Sequence, residues 1–188
     1  MDTIIVGITG ASGSIYAKKT IESLKDTHNL FVVISKNGEK VFEYELKLNF
    51  REWFKNLDAH NCKLEEIDNM FAPIASGSIN VDKMIIVPCT MGTLGKIHSG
   101  TSDNLLIRSA DVMLKEQKKL IIVPRETPLS TIHLRNMYEL SQMGVMMIPP
   151  IPSFYSFPKT IDELVNQSVG RFLKALDVDN DLYDPWCS

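Results

Sequence analysis

Apolar residues in this chain gather in short runs separated by stretches of helical spacing. Thr3 to Ile8 forms a β-like run, and from Ser14 to about Lys25 the apolar positions recur with helical period. Leu30 to Ile34 predicts a second strand, Val41 to Leu46 part of a helix, and Lys83 to Val87 a strand ending at Pro88. Leu105 to Lys115 reads as helix, Leu120 to Val123 as a strand stopped by Pro124, Ser130 to Gln142 as helix, and Val145 to Ile148 as a strand stopped by Pro149-Pro150. The clearest helix is the last. Thr160-Ile161-Asp162-Glu163 has the Thr-x-x-Glu form of a capping box, after which Ile161, Val165, Ser168, Val169, Phe172 and Leu176 share one face. From 47 to 71 the pattern is weaker and more polar, which predicts an insertion or an irregular crossover.

Repeated βα units predict an α/β fold: a single doubly wound, mostly parallel sheet flanked by helices on both faces, with right-handed crossovers. In such a sheet ligands bind outside the carboxyl ends of the strands. With no internal repeat or linker, residues 1–188 read as one domain with a C-terminal tail from about 179.

Composition narrows the function classes. Twenty Lys and Arg against 23 Asp and Glu give a net charge of −3 over 188 residues, and there is no basic run, so nucleic acid is not an expected partner. The longest apolar stretches, Leu120 to Val123 and Val145 to Ile148, fall far short of the roughly 20 residues a membrane span needs. Met1-Asp2 leads straight into the first apolar run without a basic or long apolar leader, which predicts a cytoplasmic protein. Cys62, Cys89 and Cys187 form no Cys-x-x-Cys pair and the four histidines are scattered, so neither a disulfide framework nor a metal site is expected.

The strongest local feature is Gly7-Ile8-Thr9-Gly10-Ala11-Ser12-Gly13, which leaves the first strand and opens the first helix. Glycine lets the backbone approach a phosphate or ring, and a helix N-terminus offers unpaired N–H groups. A nucleotide or flavin fits, and a tight turn without ligand is the alternative. The glycines depart from Gly-x-Gly-x-x-Gly, and Ser35-Lys36 stands at the end of the second strand where an acidic residue would hold the ribose of NAD. FMN, with one phosphate and no second ribose, fits better.

Pro88-Cys89-Thr90-Met91-Gly92-Thr93 reads as a hydroxyl-rich loop able to hold a phosphate or a flavin edge, or as an ordinary turn. Cys89 reads as a small buried thiol, since no adjacent histidine activates it. Pro124-Arg125-Glu126-Thr127-Pro128 sets a guanidinium beside a carboxylate, an anion fork and a proton carrier, or else a solvated ion pair. Arg108 and Lys115, two turns apart on one helix, extend an anion site or form a wet helical face. Tyr155 and Arg171 would hold a phosphate if the fold joined them; separately they are a half-buried aromatic and a surface cation. Phe154, Tyr155 and Trp186 read as core, subunit contacts or the walls of an apolar pocket.

Taken in order, the glycine segment, Ile34-Ser35-Lys36, Ala75-Ser76-Gly77-Ser78, Pro88-Cys89-Thr90, Ser102-Asp103-Asn104-Leu105, Ala110-Asp111-Val112, Val123 to Leu129 and His133-Leu134-Arg135-Asn136-Met137 resemble the UbiX-like flavin prenyltransferases. The resemblance runs from Thr3 to about Val178. It implies a Rossmann-like flavoprotein domain that assembles into trimers and often dodecamers. It further implies transfer of a dimethylallyl group from dimethylallyl phosphate to reduced FMN, at N5 and then by ring closure through C6, giving prenylated FMN for a UbiD-like decarboxylase. Carried onto this chain, Gly10, Ala11, Ser12, Ser35, Thr90, Met91, Gly92, Thr93 and Arg125 resemble FMN contacts. Lys115, Tyr155, Arg171 and Arg108 resemble phosphate ligands, with Trp186 an aromatic near the substrate. Glu126, Glu45 and Ser12 stand for the catalytic set, Glu126 assisting phosphate departure by proton transfer. The family looks metal-independent, in keeping with the lack of an Asp-rich magnesium motif here.

Two rival activities share the fold. A flavin-dependent cysteine decarboxylase would need a histidine base and a Pro-x-Met-Asn-type segment, neither of which is found, and a direct hydroxybenzoate decarboxylase lacks a chemical route. A non-catalytic flavin carrier would not need Lys115, Glu126, Tyr155 and Arg171.

Overall fold

A computed structural model describes residues 1–183 and 186, and Cys187 lies outside them. Six parallel strands form one sheet: β1 (Thr3–Ile8), β2 (Asn29–Ile34), β3 (Cys62–Glu65), β4 (Lys83–Cys89), β5 (Lys119–Pro124) and β6 (Met146–Met147), in the order β3-β2-β1-β4-β5-β6. The helices are α1 (Ser14–Leu24), α2 (Lys36–Leu46), α3 (Phe50–Lys55), α4 (Met91–His98), α5 (Leu105–Lys115), α6 (Thr131–Gln142) and α7 (Ile161–Ala175). The doubly wound sheet expected from the βα alternation is therefore present.

Side-chain alternation splits the core into two layers. Ile4, Val6 and Ile8 of β1 face one side, where they meet Ala17, Ile21 and Leu24 of α1 and Val165, Val169 and Phe172 of α7. Ile5 faces the other, with Leu94 and Ile97 of α4 and Leu106, Ala110 and Met113 of α5. Gly7 lets α5 come close: a Cβ there would stand 3.2 Å from the Leu106 side chain.

Several elements differ from the sequence pattern. The weak stretch from 47 to 71 contains α3 and the edge strand β3. Only six residues long, α3 is held by aromatic packing of Phe42, Phe50, Trp53 and Phe54 rather than by its own periodicity. The expected loop after Pro88 is instead the start of a helix: Cys89 closes β4, Thr90 caps, and α4 begins at Met91. Gly92 and Gly95 weaken helical propensity there and mask it in the sequence. The expected capping box at Thr160 is half formed. Its hydroxyl accepts from the Glu163 N–H at 3.2 Å, but the Glu163 carboxylate accepts from the Lys159 N–H. Ile161, the first helical residue, is exposed, whereas Val165, Ser168, Val169, Phe172 and Leu176 are buried as the pattern requires. Among the described residues no helix is long and apolar enough to cross a membrane.

Candidate active site

The strand order reverses between β1 and β4, which opens a crevice at their carboxyl ends. Backbone hydrogen bonds tie the surrounding loops into one floor. Ser35 N–H donates to Ile8 O at 2.9 Å, Thr9 N–H to Pro88 O at 3.2 Å, and Arg125 N–H to Cys89 O at 3.1 Å. Thr9, which the sequence reading passed over, adds two bonds across the switch point. Its buried hydroxyl donates to Pro88 O at 2.9 Å and accepts from Thr90 N–H at 2.8 Å. A polar residue ending an apolar strand inside the glycine segment was the available signal.

Gly10 serves packing as much as ligand approach. A Cβ on it would fall 2.7 Å from the Asn37 Cβ, so the turn after β1 nests against the first turn of α2. Gly13 caps α1 in the left-handed region, φ 109°, where a side chain would be strained. The N–H groups opening α1 are not free, contrary to the sequence expectation. Glu45, reaching over from α2, accepts from Gly13 N–H at 3.0 Å and from Ser14 N–H at 2.8 Å. Burial alone would raise this carboxyl, but hydrogen bonds from Ser12, Ser14 and Gly13 outweigh it and hold the Glu45 carboxyl below its ordinary range. Glu45 and Ser12 are thus brought together.

A helix end left open at the crevice is that of α4. Thr90 Oγ1 accepts from Thr93 N–H at 3.1 Å and donates to Thr93 Oγ1 at 3.0 Å. The Met91 and Gly92 N–H groups then have no acceptor within the helix. Arg125 is half-buried, and its Nε is closed to solvent with no partner among the described residues. Such an orphaned donor is costly unless a ligand satisfies it. Cys89 behaves as expected of a core thiol: it is fully buried, and burial pushes its pKa far up.

The remaining candidates divide into two groups. Glu126 is exposed beside Arg125, with Oε1 accepting from Thr127 N–H at 3.0 Å. Tyr155 packs edge-on against Trp186, ring centroids 5.2 Å apart, and its flanking residues Ser153 and Ser156 both bond Gln167 of α7, one turn before Arg171. Arg171 is exposed and has no ion pair among the described residues. Arg108 and Lys115 both lie on α5, in its first and last turns. Arg108 Nε donates to Ala75 O at 2.9 Å and its Nη1 to Asp111 at 2.7 Å, while Lys115 pairs with Glu116 beside Gly77. Lys115 ends α5 just before β5 begins, at the amino edge of the sheet. The length of β5, about 17 Å at roughly 3.3 Å per residue, separates that edge from Arg125. One chain therefore does not join Lys115 to the crevice.

A family model described as Flavoprotein matches residues 1–173. A flavin prenyltransferase UbiX of Methanocaldococcus jannaschii is 46% identical over 183 residues, 97% of each chain. The chain belongs to the UbiX-like flavin prenyltransferases. Among solved structures of this family, AnUbiX in complex with FMN and dimethylallyl pyrophosphate superposes with a TM-score of 0.94 at 41% identity, covering 100% of this chain and 98% of that one. A dodecameric FMN-dependent UbiX-like decarboxylase from Escherichia coli gives 0.93 at 39% identity, with 99% and 100% covered. FMN suits the crevice: the orphaned Arg125 Nε, the Thr93 hydroxyl and the open end of α4 supply hydrogen-bond donors for a phosphate or a polar ring edge.

Proposed function

We propose that this protein joins a dimethylallyl group from dimethylallyl phosphate to reduced FMN and so makes a prenylated flavin. The observation that carries this reading is the full-length likeness to a relative holding both FMN and dimethylallyl pyrophosphate. The donor-lined crevice of this chain supports it.

Reduced FMN supplies the nucleophilic ring edge that accepts the prenyl group. Gly10, Ala11, Ser12, Ser35, Thr90 to Thr93 and Arg125 hold and orient it. Tyr155, Arg171, Lys115 and Arg108 bind the phosphate of the donor and stabilise charge as it leaves, a task that cations and hydroxyls perform strongly in a site shielded from water. Glu126 gives a proton to the departing phosphate, and Glu45 with Ser12 handles protons near the flavin. Trp186 and Tyr155 form an apolar wall for the five-carbon chain. Because Lys115 stands away from this chain's own crevice, it serves the site of a neighbouring copy in a trimer-based homo-oligomer, of which a dodecamer is the larger form, and Arg108 acts from the same helix. The product passes to a UbiD-like decarboxylase in the cytoplasm.

The test is anaerobic incubation of the purified protein with reduced FMN and dimethylallyl phosphate, then mass analysis of the released flavin. A flavin heavier by one five-carbon prenyl unit is expected. Unchanged FMN with both the mono- and diphosphate donors, despite tight flavin binding, would overturn the reading.

A further inference from the structure

We infer that Gln167 is a positioning residue for the prenyl-phosphate side of the site, acting through Tyr155; this rests on the reading of Tyr155 and Arg171 as phosphate ligands. Gln167 lies on the buried side of α7, 7% exposed, among Val165, Val169 and Phe172. A carboxamide so placed must find partners for its donor and its acceptor. Both come from one segment. Ser153 Oγ donates to Gln167 Oε1 at 3.0 Å, and Gln167 Nε2 donates to Ser156 Oγ. These serines flank Tyr155.

The segment needs such a clamp because its backbone offers little. Residues 148–160, between β6 and α7, form neither helix nor strand. Pro149, Pro150, Pro152 and Pro158 carry no N–H. At its start Ile148 N–H still donates to Ile122 O at 2.9 Å, but beyond it the backbone N–H bonds of the segment among described residues are local, Ile151 to Pro149 and Phe157 to Phe154. Gln167 therefore fixes Tyr155 to α7, and Arg171 sits one turn further along that helix. The two phosphate ligands then share one rigid frame, as a site must if it is to hold its groups in register.

Two sets of variants remove the clamp from opposite sides: Gln167→Leu, and Ser153→Ala combined with Ser156→Ala. Steady-state kinetics would be read against each substrate separately, with Tyr155→Phe as reference. Both sets should raise KM for dimethylallyl phosphate about tenfold, the scale of one lost buried hydrogen bond, while FMN affinity stays within about twofold. The triple variant should be no worse than the poorer parent, since the three side chains act as one unit. A donor KM unchanged in both sets while Tyr155→Phe raises it would overturn this inference alone. Parallel loss of FMN and donor binding would also overturn it, by showing a merely structural role. No response to Tyr155→Phe would overturn the phosphate-site reading and this inference with it. Should Gln167→Leu fail to fold, the half-buried serine pair decides.

Discussion

At the scale of single residues, the site depends on polar groups that the crevice either satisfies or leaves open. Thr9 is the clearest satisfied one, with its hydroxyl bonded to both Pro88 O and Thr90 N–H. Thr9→Val keeps the shape but strands the half-buried Thr90 N–H, so a loss of about 1 kcal/mol is expected in denaturant unfolding, together with weaker FMN binding. Thr9→Ser should restore both. Glu126 stands at the other extreme, exposed and free to meet a leaving group. Glu126→Gln should retain FMN yet lower turnover by about 10²–10⁴-fold, the usual weight of a general acid, whereas Arg171→Ala should weaken donor binding and spare FMN. Parallel flavin titrations and turnover assays separate the two. Glu45 links chemistry to stability. Its folded carboxyl is held low once the hydrogen bonds from Ser12, Ser14 and Gly13 outweigh burial, so its stabilising contribution is present above the ordinary carboxylate value of about 4.3 and is lost as pH falls through the lower folded value. Thermal melts should show the parent protein above Glu45→Gln by about 1 kcal/mol near neutrality, the usual worth of an N-cap, with the gap closing in acid.

At the scale of elements, helix starts decide where ligands can bind. The start of α1 is closed by Glu45 from α2, and α2 itself starts against Gly10 through Asn37. Gly10→Ala places a Cβ 2.7 Å from Asn37 Cβ. Backbone must shift, and an overpacking cost of about 1–3 kcal/mol is expected in unfolding measurements. Adding Asn37→Gly should recover part of it, which a double-mutant cycle would register. Unlike α1, α4 begins at the switch point with a threonine cap and two N–H groups that have no acceptor within the helix, and its glycine content concealed it from periodicity. The strands and long helices were legible because their buried stripes follow periods of two and 3.6 residues. The short α3 and the four-residue edge strand β3 were not, since aromatic packing against Phe42 of α2 stabilises the one and pairing with β2 the other.

At the scale of the whole molecule, one chain does not gather all the proposed phosphate ligands. Tyr155 and Arg171 belong to α7 and the segment before it, whereas Arg108 and Lys115 flank residues 75–78 on α5. Ile132, Leu134 and Tyr138 leave α6 with exposed apolar side chains, and Phe71 is almost wholly exposed. Such surfaces are expected where copies associate. If neighbouring copies complete each site, mixed oligomers of Lys115→Ala with Arg171→Ala should recover activity that neither variant shows alone. At equal mixing, some sites combine two intact contributions. Absence of recovery after verified subunit exchange would place both residues in the same chain's site.

The sequence alone determined the α/β alternation, the parallel sheet and the turns that carry Gly10 and Arg125, because strand and helix periodicities and proline stops are local properties of the chain. Its ordered motifs also indicated the family. Only the tertiary structure decided that Glu45 closes α1, that Thr9 bridges β1 and β4, that Gln167 clamps the Tyr155 segment, and that Lys115 lies at the far edge of the sheet. These contacts join residues distant in sequence. They exist only once sheet order and helix packing bring the polar groups together, and burial then obliges each group to find a partner.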